Sequence, residues 1–94
     1  MKVVFSANAL KQLKKLDKPT SSRIVAYMAE VSKLKNPRER GKMLVGNLLG
    51  FWRYRVGDYR ILCRIKDDEL VISVVEVGHR REVYDKYSVA HLQQ

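Results

Sequence analysis

Residues Trp52–Ile65 read WRYRVGDYRILCRI. Two runs in which apolar and basic residues alternate flank a Gly57-Asp58 pair. Alternation is the period of a β-strand, and a glycine at the first of two turn positions suits a type II′ hairpin. Such a turn dictates the register: Val56 faces Tyr59, Arg55 faces Arg60, Tyr54 faces Ile61 and Arg53 faces Leu62. Opposed residues of a hairpin share a face of the sheet. Trp52, Tyr54, Val56, Tyr59, Ile61, Cys63 and Ile65 therefore make one apolar face. Arg53, Arg55, Arg60 and Arg64 share the other with Leu62.

An apolar face needs a cover, and the first half of the chain supplies one. Lys2–Phe5 (KVVF) predicts a short strand, and Ser6 stands where a helix N-cap belongs. Ala9, Leu10, Leu13 and Leu16 follow at helical spacing, with Lys11, Lys14 and Lys15 on the opposite side. Asp17-Lys18-Pro19 breaks this helix, and Pro19 suits the first turn of the next. Ile24, Met28, Val31 and Leu34 form the stripe of that second helix, which ends at Asn36-Pro37. The two helices make an antiparallel hairpin.

Residues 36–50 contain three glycines and one proline and predict a loop with Met43, Leu44 and Val45 packed beneath it. Asp67-Asp68-Glu69 is a polar turn. Leu70–Val77 (LVISVVEV) is apolar at nearly every position, which predicts a central strand buried on both faces and stopped by Gly78. Residues 80–92 predict a final short helix. The expected architecture is α+β: an N-terminal strand, a helical hairpin, then a three-stranded antiparallel meander in one twisted sheet. The helices cover one face, and the arginine face stays open. At 94 residues the chain is expected to be a single domain, 1–94.

Charge narrows the function. The net charge is +9, and it is uneven. Residues 1–50 carry 11 Lys and Arg against 3 Asp and Glu, and residues 51–94 carry 8 against 7. Such an excess favours an anionic partner, nucleic acid foremost, although lysines on exposed helix faces also serve solubility. No run reaches the length of a membrane helix, and MKVVFSANALKQLKK, interrupted by Ser6 and Asn8, does not read as a signal peptide. The single cysteine, Cys63, leaves no internal disulfide and no cysteine-based metal site. Asp67-Asp68-Glu69 has no ligating histidine nearby, and no nucleophile elbow supports a Ser-His-Asp arrangement. A cytoplasmic protein without membrane, metal or cofactor is expected.

The arginine face is the candidate site. Close guanidinium groups repel one another unless an anion lies between them, and their forks match phosphate oxygens. The competing reading is that Asp58, Glu76 or Glu82 neutralises them in internal ion pairs. Gly78–Tyr84 (GHRREVY) adds His79, Arg80, Arg81, Glu82 and Tyr84, which approach Arg60 if the last two strands are antiparallel.

WRYRVGDYRILCRI followed by VGHRREVY resembles the RelE/ParE superfamily of toxin–antitoxin toxins, and more closely its RelE-like ribonuclease branch. The resemblance covers most of the chain. It implies cleavage of messenger RNA in the ribosomal A site. It also implies inhibition by a small RelB-like antitoxin, through which the complex engages its operator DNA. By the same resemblance, Arg60 contacts the scissile phosphate. Arg80, with Arg81 as the alternative, is the arginine after the VGH segment, and Tyr84 is the terminal tyrosine. Arg53 and Arg55 stand where RelE-like toxins often have lysines. An arginine does not give up its proton in proteins, so the general base falls to His79, Tyr84 or Lys42. Arg53, Arg55, Arg64 and Lys42 are the expected RNA contacts. Lys11, Lys14, Lys15, Lys18, Lys33 and Lys35 could grip ribosomal RNA. Three other readings remain: a ParE-like toxin that poisons DNA gyrase, a non-catalytic nucleic-acid-binding module, and an inactive toxin kept for its antitoxin complex.

Overall fold

The two helices predicted in the first half of the chain form, and each begins at a capping side chain. The computed structural model describes residues 1–79; the helix expected over residues 80–92 lies outside the described residues. Lys2–Phe5 is β1, Ala7–Lys15 is α1 and Lys18–Lys33 is α2. The Ser6 side chain accepts from the Ala9 amide at 3.0 Å, and Asp17 accepts from the Thr20 amide at 3.1 Å. Each bond satisfies one of the amides that a helix start leaves without an intrahelical partner. The Thr20 bonds also hold the Asp17 carboxyl below its ordinary value. Ala9 and Leu13 of α1 and Ile24, Met28 and Val31 of α2 are buried. Leu10 departs from the expected stripe, because it lies on the solvent side and is 47% exposed.

Lys42–Met43 is β2, Trp52–Val56 is β3, Tyr59–Lys66 is β4 and Val71–His79 is β5. Two 3-10 turns, Pro37–Glu39 and Gly46–Leu48, lie in the segment read as a loop. The sheet runs β1-β5-β4-β3-β2. β3, β4 and β5 form the antiparallel meander, and β1 lies parallel to β5. The hairpin register is the one dictated by its turn, from Trp52 opposite Cys63 to Val56 opposite Tyr59. Gly57 has φ 58°, and Leu70 is the one non-glycine residue with positive φ among the described residues, so the turn has the type II′ pattern.

The core lies between the sheet and the helical hairpin. Tyr54, Ile61, Cys63, Ile72 and Val74 meet Ala9, Ile24, Met28 and Val31, all at or below 1% exposure. Trp52, Tyr59 and Ile65 pack around this cluster. Burial pushes the Cys63 thiol pKa up.

Three expectations need correction. Met43 and Val45 are 61% and 73% exposed rather than packed beneath the loop, because β2 pairs only at the sheet edge with Arg53 and Trp52. Leu70 belongs to the turn rather than the strand, with φ 56° and 65% exposure. β5 does not stop at Gly78 but continues to His79, and only one of its faces is fully buried: Val71, Ser73 and Val75 are half-buried. Among the described residues no helix is long and apolar enough to cross a membrane.

Candidate nucleic-acid interface

On the sheet face away from the helices, the register sets basic residues side by side. Lys42 of β2 lies opposite Arg53 of β3. Arg55 lies opposite Arg60 of β4, which in turn lies opposite Gly78 of β5, and Arg64 lies opposite Ser73. Arg55, Arg64 and Lys42 are exposed and Arg53 is half-buried. Arg60 lies on this face as the hairpin pattern requires, but it is not exposed there. It sits between β3 and β5 and is 3% exposed, beside Leu62 at 1%. Its guanidinium is thus a buried charge on this face, with the exposed charges of Arg55, Arg64 and Lys42 around it. Arg64 lays its guanidinium over the Phe51 ring, 4.3 Å from the centroid, a cation–π contact that holds it on this face.

The loop before β2 is anchored through the apolar side of the same hairpin. The Tyr54 hydroxyl donates to the Pro37 carbonyl at 2.7 Å, and the Trp52 indole N–H donates to the Arg40 carbonyl at 2.8 Å. Burial pushes the Tyr54 phenol pKa up. Arg38 makes two bonds of 2.9 Å to Asp67, and its guanidinium holds that carboxyl below the ordinary range. Arg40 reaches Glu30 at 3.2 Å and lies 5.4 Å from the Tyr27 ring centroid. Gly41 then turns with φ 82° so closely that a Cβ there would run into the Arg53 carbonyl and lie 2.6 Å from the Trp52 indole nitrogen. These contacts carry the chain into β2 and set Lys42 beside Arg53. Sequence reading missed them. The available signal was that a buried Trp or Tyr usually needs a partner for its polar tip.

At the other end of the face, β5 carries a bulge. Leu62 pairs with Glu76 but Cys63 pairs with Val74. Glu76, 5% exposed, accepts from Asn8 at 3.2 Å and from Gln12 at 2.6 Å, both on α1. Asp58 is exposed in the hairpin turn, and Glu82 lies outside the described residues. His79 pairs with Tyr59, whose side chain packs on the core, so the two share the helix side of the sheet. Their rings meet edge to face at 5.7 Å, and both line a cleft of about 390 Å³ with Gln12 and Lys15. Of the residues singled out in sequence, the fold brings Arg53, Arg55, Arg60, Arg64 and Lys42 onto one face and directs His79 to the other. Arg80, Arg81 and Tyr84 lie outside the described residues.

A basic strand face with one buried guanidinium suits a polyanion, and known proteins of this shape identify the family. The family model described as the ParE toxin of the type II toxin–antitoxin system parDE matches residues 3–84. Toxin RelG of Mycobacterium tuberculosis is 31% identical over 83 residues, which is 87% of this chain and 93% of that protein. Among solved structures, the RelBE2 toxin–antitoxin complex of Mycobacterium tuberculosis aligns with a TM-score of 0.76 at 30% identity, covering 83% of this chain and 88% of that one. A mutant of Escherichia coli toxin RelE in the free state aligns with a TM-score of 0.71 at 25% identity, covering 89% and 90%. The chain belongs to the RelE/ParE family and is a toxin of a type II toxin–antitoxin system.

Proposed function

We propose that this toxin is a metal-independent endoribonuclease that cuts messenger RNA in the ribosomal A site and so stops translation in the cytoplasm. The observation that carries this reading is the placement of Arg60, buried at the centre of the basic face, with Arg55 on one side and a glycine on the other. The ribose 2′-oxygen attacks the adjacent phosphorus, the bond to the 5′-oxygen breaks, and a 2′,3′-cyclic phosphate forms as the 5′-oxygen takes up a proton. Negative charge grows on the phosphoryl oxygens along this path. A cation fixed beforehand at that place stabilises the transition state without reorganisation, and losing one such group costs on the order of 10²-fold in rate. Arg60 takes this role, joined by Arg80 or Arg81. Arg53, Arg55 and Arg64 hold neighbouring phosphates and align the attack.

Guanidinium groups cannot accept the 2′-hydroxyl proton. His79 faces the helix side with Tyr59, so the reading assigns that proton to Lys42 or to Tyr84. The exposed lysines of the helices, among them Lys11, Lys14, Lys15, Lys18, Lys33 and Lys35, grip ribosomal RNA, which makes binding steeply salt-dependent. The inhibitor is a RelB-like antitoxin that presents acidic and apolar residues to the basic face and carries the complex to operator DNA. Support for that partner comes from RelBE2 of Mycobacterium tuberculosis, which was solved as a toxin–antitoxin complex.

Cleavage of a ribosome-bound messenger in a purified translation system, mapped by primer extension, tests the reading. Cuts within the A-site codon are expected from the wild type, with a loss of about 10²-fold in Arg60→Ala. Lys42→Met and Tyr84→Phe identify the base by which of them removes the cuts. Intact messenger with ribosomes present overturns the reading. The second reading is gyrase poisoning, favoured by the match to the ParE model and by arginines where RelE-like toxins carry lysines. Its signature is blocked DNA replication with messenger left whole.

A further inference from the structure

The β4–β5 pairing passes from Cys63 opposite Val74 to Leu62 opposite Glu76, so Val75 is an extra residue in the ladder. A bulge of this kind inverts the side-chain alternation beyond it. Ile72 and Val74 enter the core before it, and Val77 enters after it. Continued without the bulge, the register would set Val77 opposite Arg60 and Glu76 opposite Ile61. An isopropyl group would then stand beside the Arg60 guanidinium, and a carboxylate would enter the apolar core at high cost. With the bulge, the residue beside Arg60 is Gly78.

The bulge sits just past the end of β1, whose last pair is Phe5 with Val74. From Val75 onward β1 no longer covers that edge of β5, and α1 takes its place with side chains. Asn8 donates to the Val75 carbonyl at 3.2 Å and to Glu76 at 3.2 Å. Ser6 donates to the Val75 carbonyl at 3.4 Å. Gln12 accepts from the Val77 amide through Oε1 at 2.6 Å and donates through Nε2 to Glu76 Oε1 at 2.6 Å. A primary amide carries both a donor and an acceptor on one planar head, which is what this double contact requires.

We propose that Gln12, assisted by Asn8, is a positioning residue for the Arg60 site: it locks the Val75 bulge and thereby keeps a glycine beside Arg60, so that no β5 side chain stands opposite the guanidinium. The inference rests on the ribonuclease reading of the arginine face. Gln12→Leu keeps the size and removes both hydrogen bonds. Gly78→Val places a branched side chain beside Arg60 directly.

Both variants are compared with wild type and Arg60→Ala for cleavage of ribosome-bound messenger, with kcat and KM separated, and for amide exchange at Val77. Gln12→Leu is expected to lose about 10- to 100-fold in kcat, the scale of a misplacement by an ångström. Its KM stays within about twofold, and its Val77 amide exchanges faster. Gly78→Val loses kcat similarly while the Val77 amide stays protected. A folded Gln12→Leu with wild-type kcat, beside an inactive Arg60→Ala, overturns the positioning role. Arg60→Ala with wild-type cleavage instead overturns the ribonuclease reading itself. Should Gln12→Leu fail to fold, Gly78→Val decides, since wild-type kcat there shows that a glycine beside Arg60 is not needed and overturns the positioning role.

Discussion

Strand β4 presents two unlike faces on alternate residues. Toward the helices, Ile61 and Cys63 are fully buried among Tyr54, Ile24, Met28 and Ile72. Toward the open side, Arg60 is buried, Arg64 is exposed, and Arg55 stands directly across from Arg60. The first face is organised by removal of apolar surface from water, a gain the chain makes by itself. The second sets like charges opposite one another, an arrangement suited to an anion between them. The apolar and the basic face are thus written on odd and even positions of the same strand. Changes on one face serve as controls for changes on the other.

The largest separation should come from Ile72→Ala. Ile72 is fully buried, and such a truncation costs about 2–5 kcal/mol, read by urea denaturation, while cleavage per folded molecule stays at the wild-type level. A loss below about 1 kcal/mol would mean that the core is not held as the contacts indicate. Arg55→Ala should do the reverse. Stability is expected to hold or rise by up to about 0.5 kcal/mol as the opposition to Arg60 is relieved, while affinity for RNA falls and its salt dependence becomes shallower by about one phosphate contact. Equal salt slopes for wild type and variant would break the division between the faces.

The anchored loop sharpens the comparison, because it ties the two faces together. Gly41→Ala forces a Cβ against the Arg53 carbonyl and the Trp52 indole at φ 82°. It should cost more than about 1 kcal/mol and release β2, seen as faster exchange of the β2 amides and reduced RNA affinity through Lys42. Tyr54→Phe removes only the bond to Pro37 and should cost about 1 kcal/mol. The smallest effect belongs to Asp67→Asn. The folded-state pKa of Asp67 lies below its ordinary 3.8 because of Arg38. Its contribution is therefore complete above that value and fades as pH falls through the lower folded one. Asp67→Asn should differ slightly from wild type at neutral pH and converge with it under acid, as followed by thermal melting across pH. A gap that widens on acidification would reverse the sign.

Much of this was legible in the order of residues. The Gly57-Asp58 turn and the alternation around it specify register through local geometry, so the pairing of Arg55 with Arg60 and the sorting of two faces follow from sequence. Ser6 and Pro19 mark helix starts by the same local logic, whereas Asp17, read only as part of a break, proves to cap α2. The edge strand β2 escaped detection, since two residues hold no period and form a strand only because Trp52, Tyr54 and Gly41 bring the loop against β3. The arginine face was also legible as a cluster, but the depth of Arg60 was not, because depth depends on which strands flank it.

What the sequence by itself determined is the hairpin, the division of its faces, the helical cover and the excess of positive charge. What only the tertiary structure decided is the end of β5. LVISVVEV is apolar at nearly every position, so it carries no alternation from which a shift in phase could be read. The extra residue at Val75 is held by Asn8 and the two residues after it by Gln12, all more than sixty positions away. Counted from Ile72 and Val74, His79 would fall on the arginine face. One bulged residue turns it to the helix side and puts Gly78 beside Arg60, because a strand's alternation counts residues while the bulge is set by contacts distant in the chain.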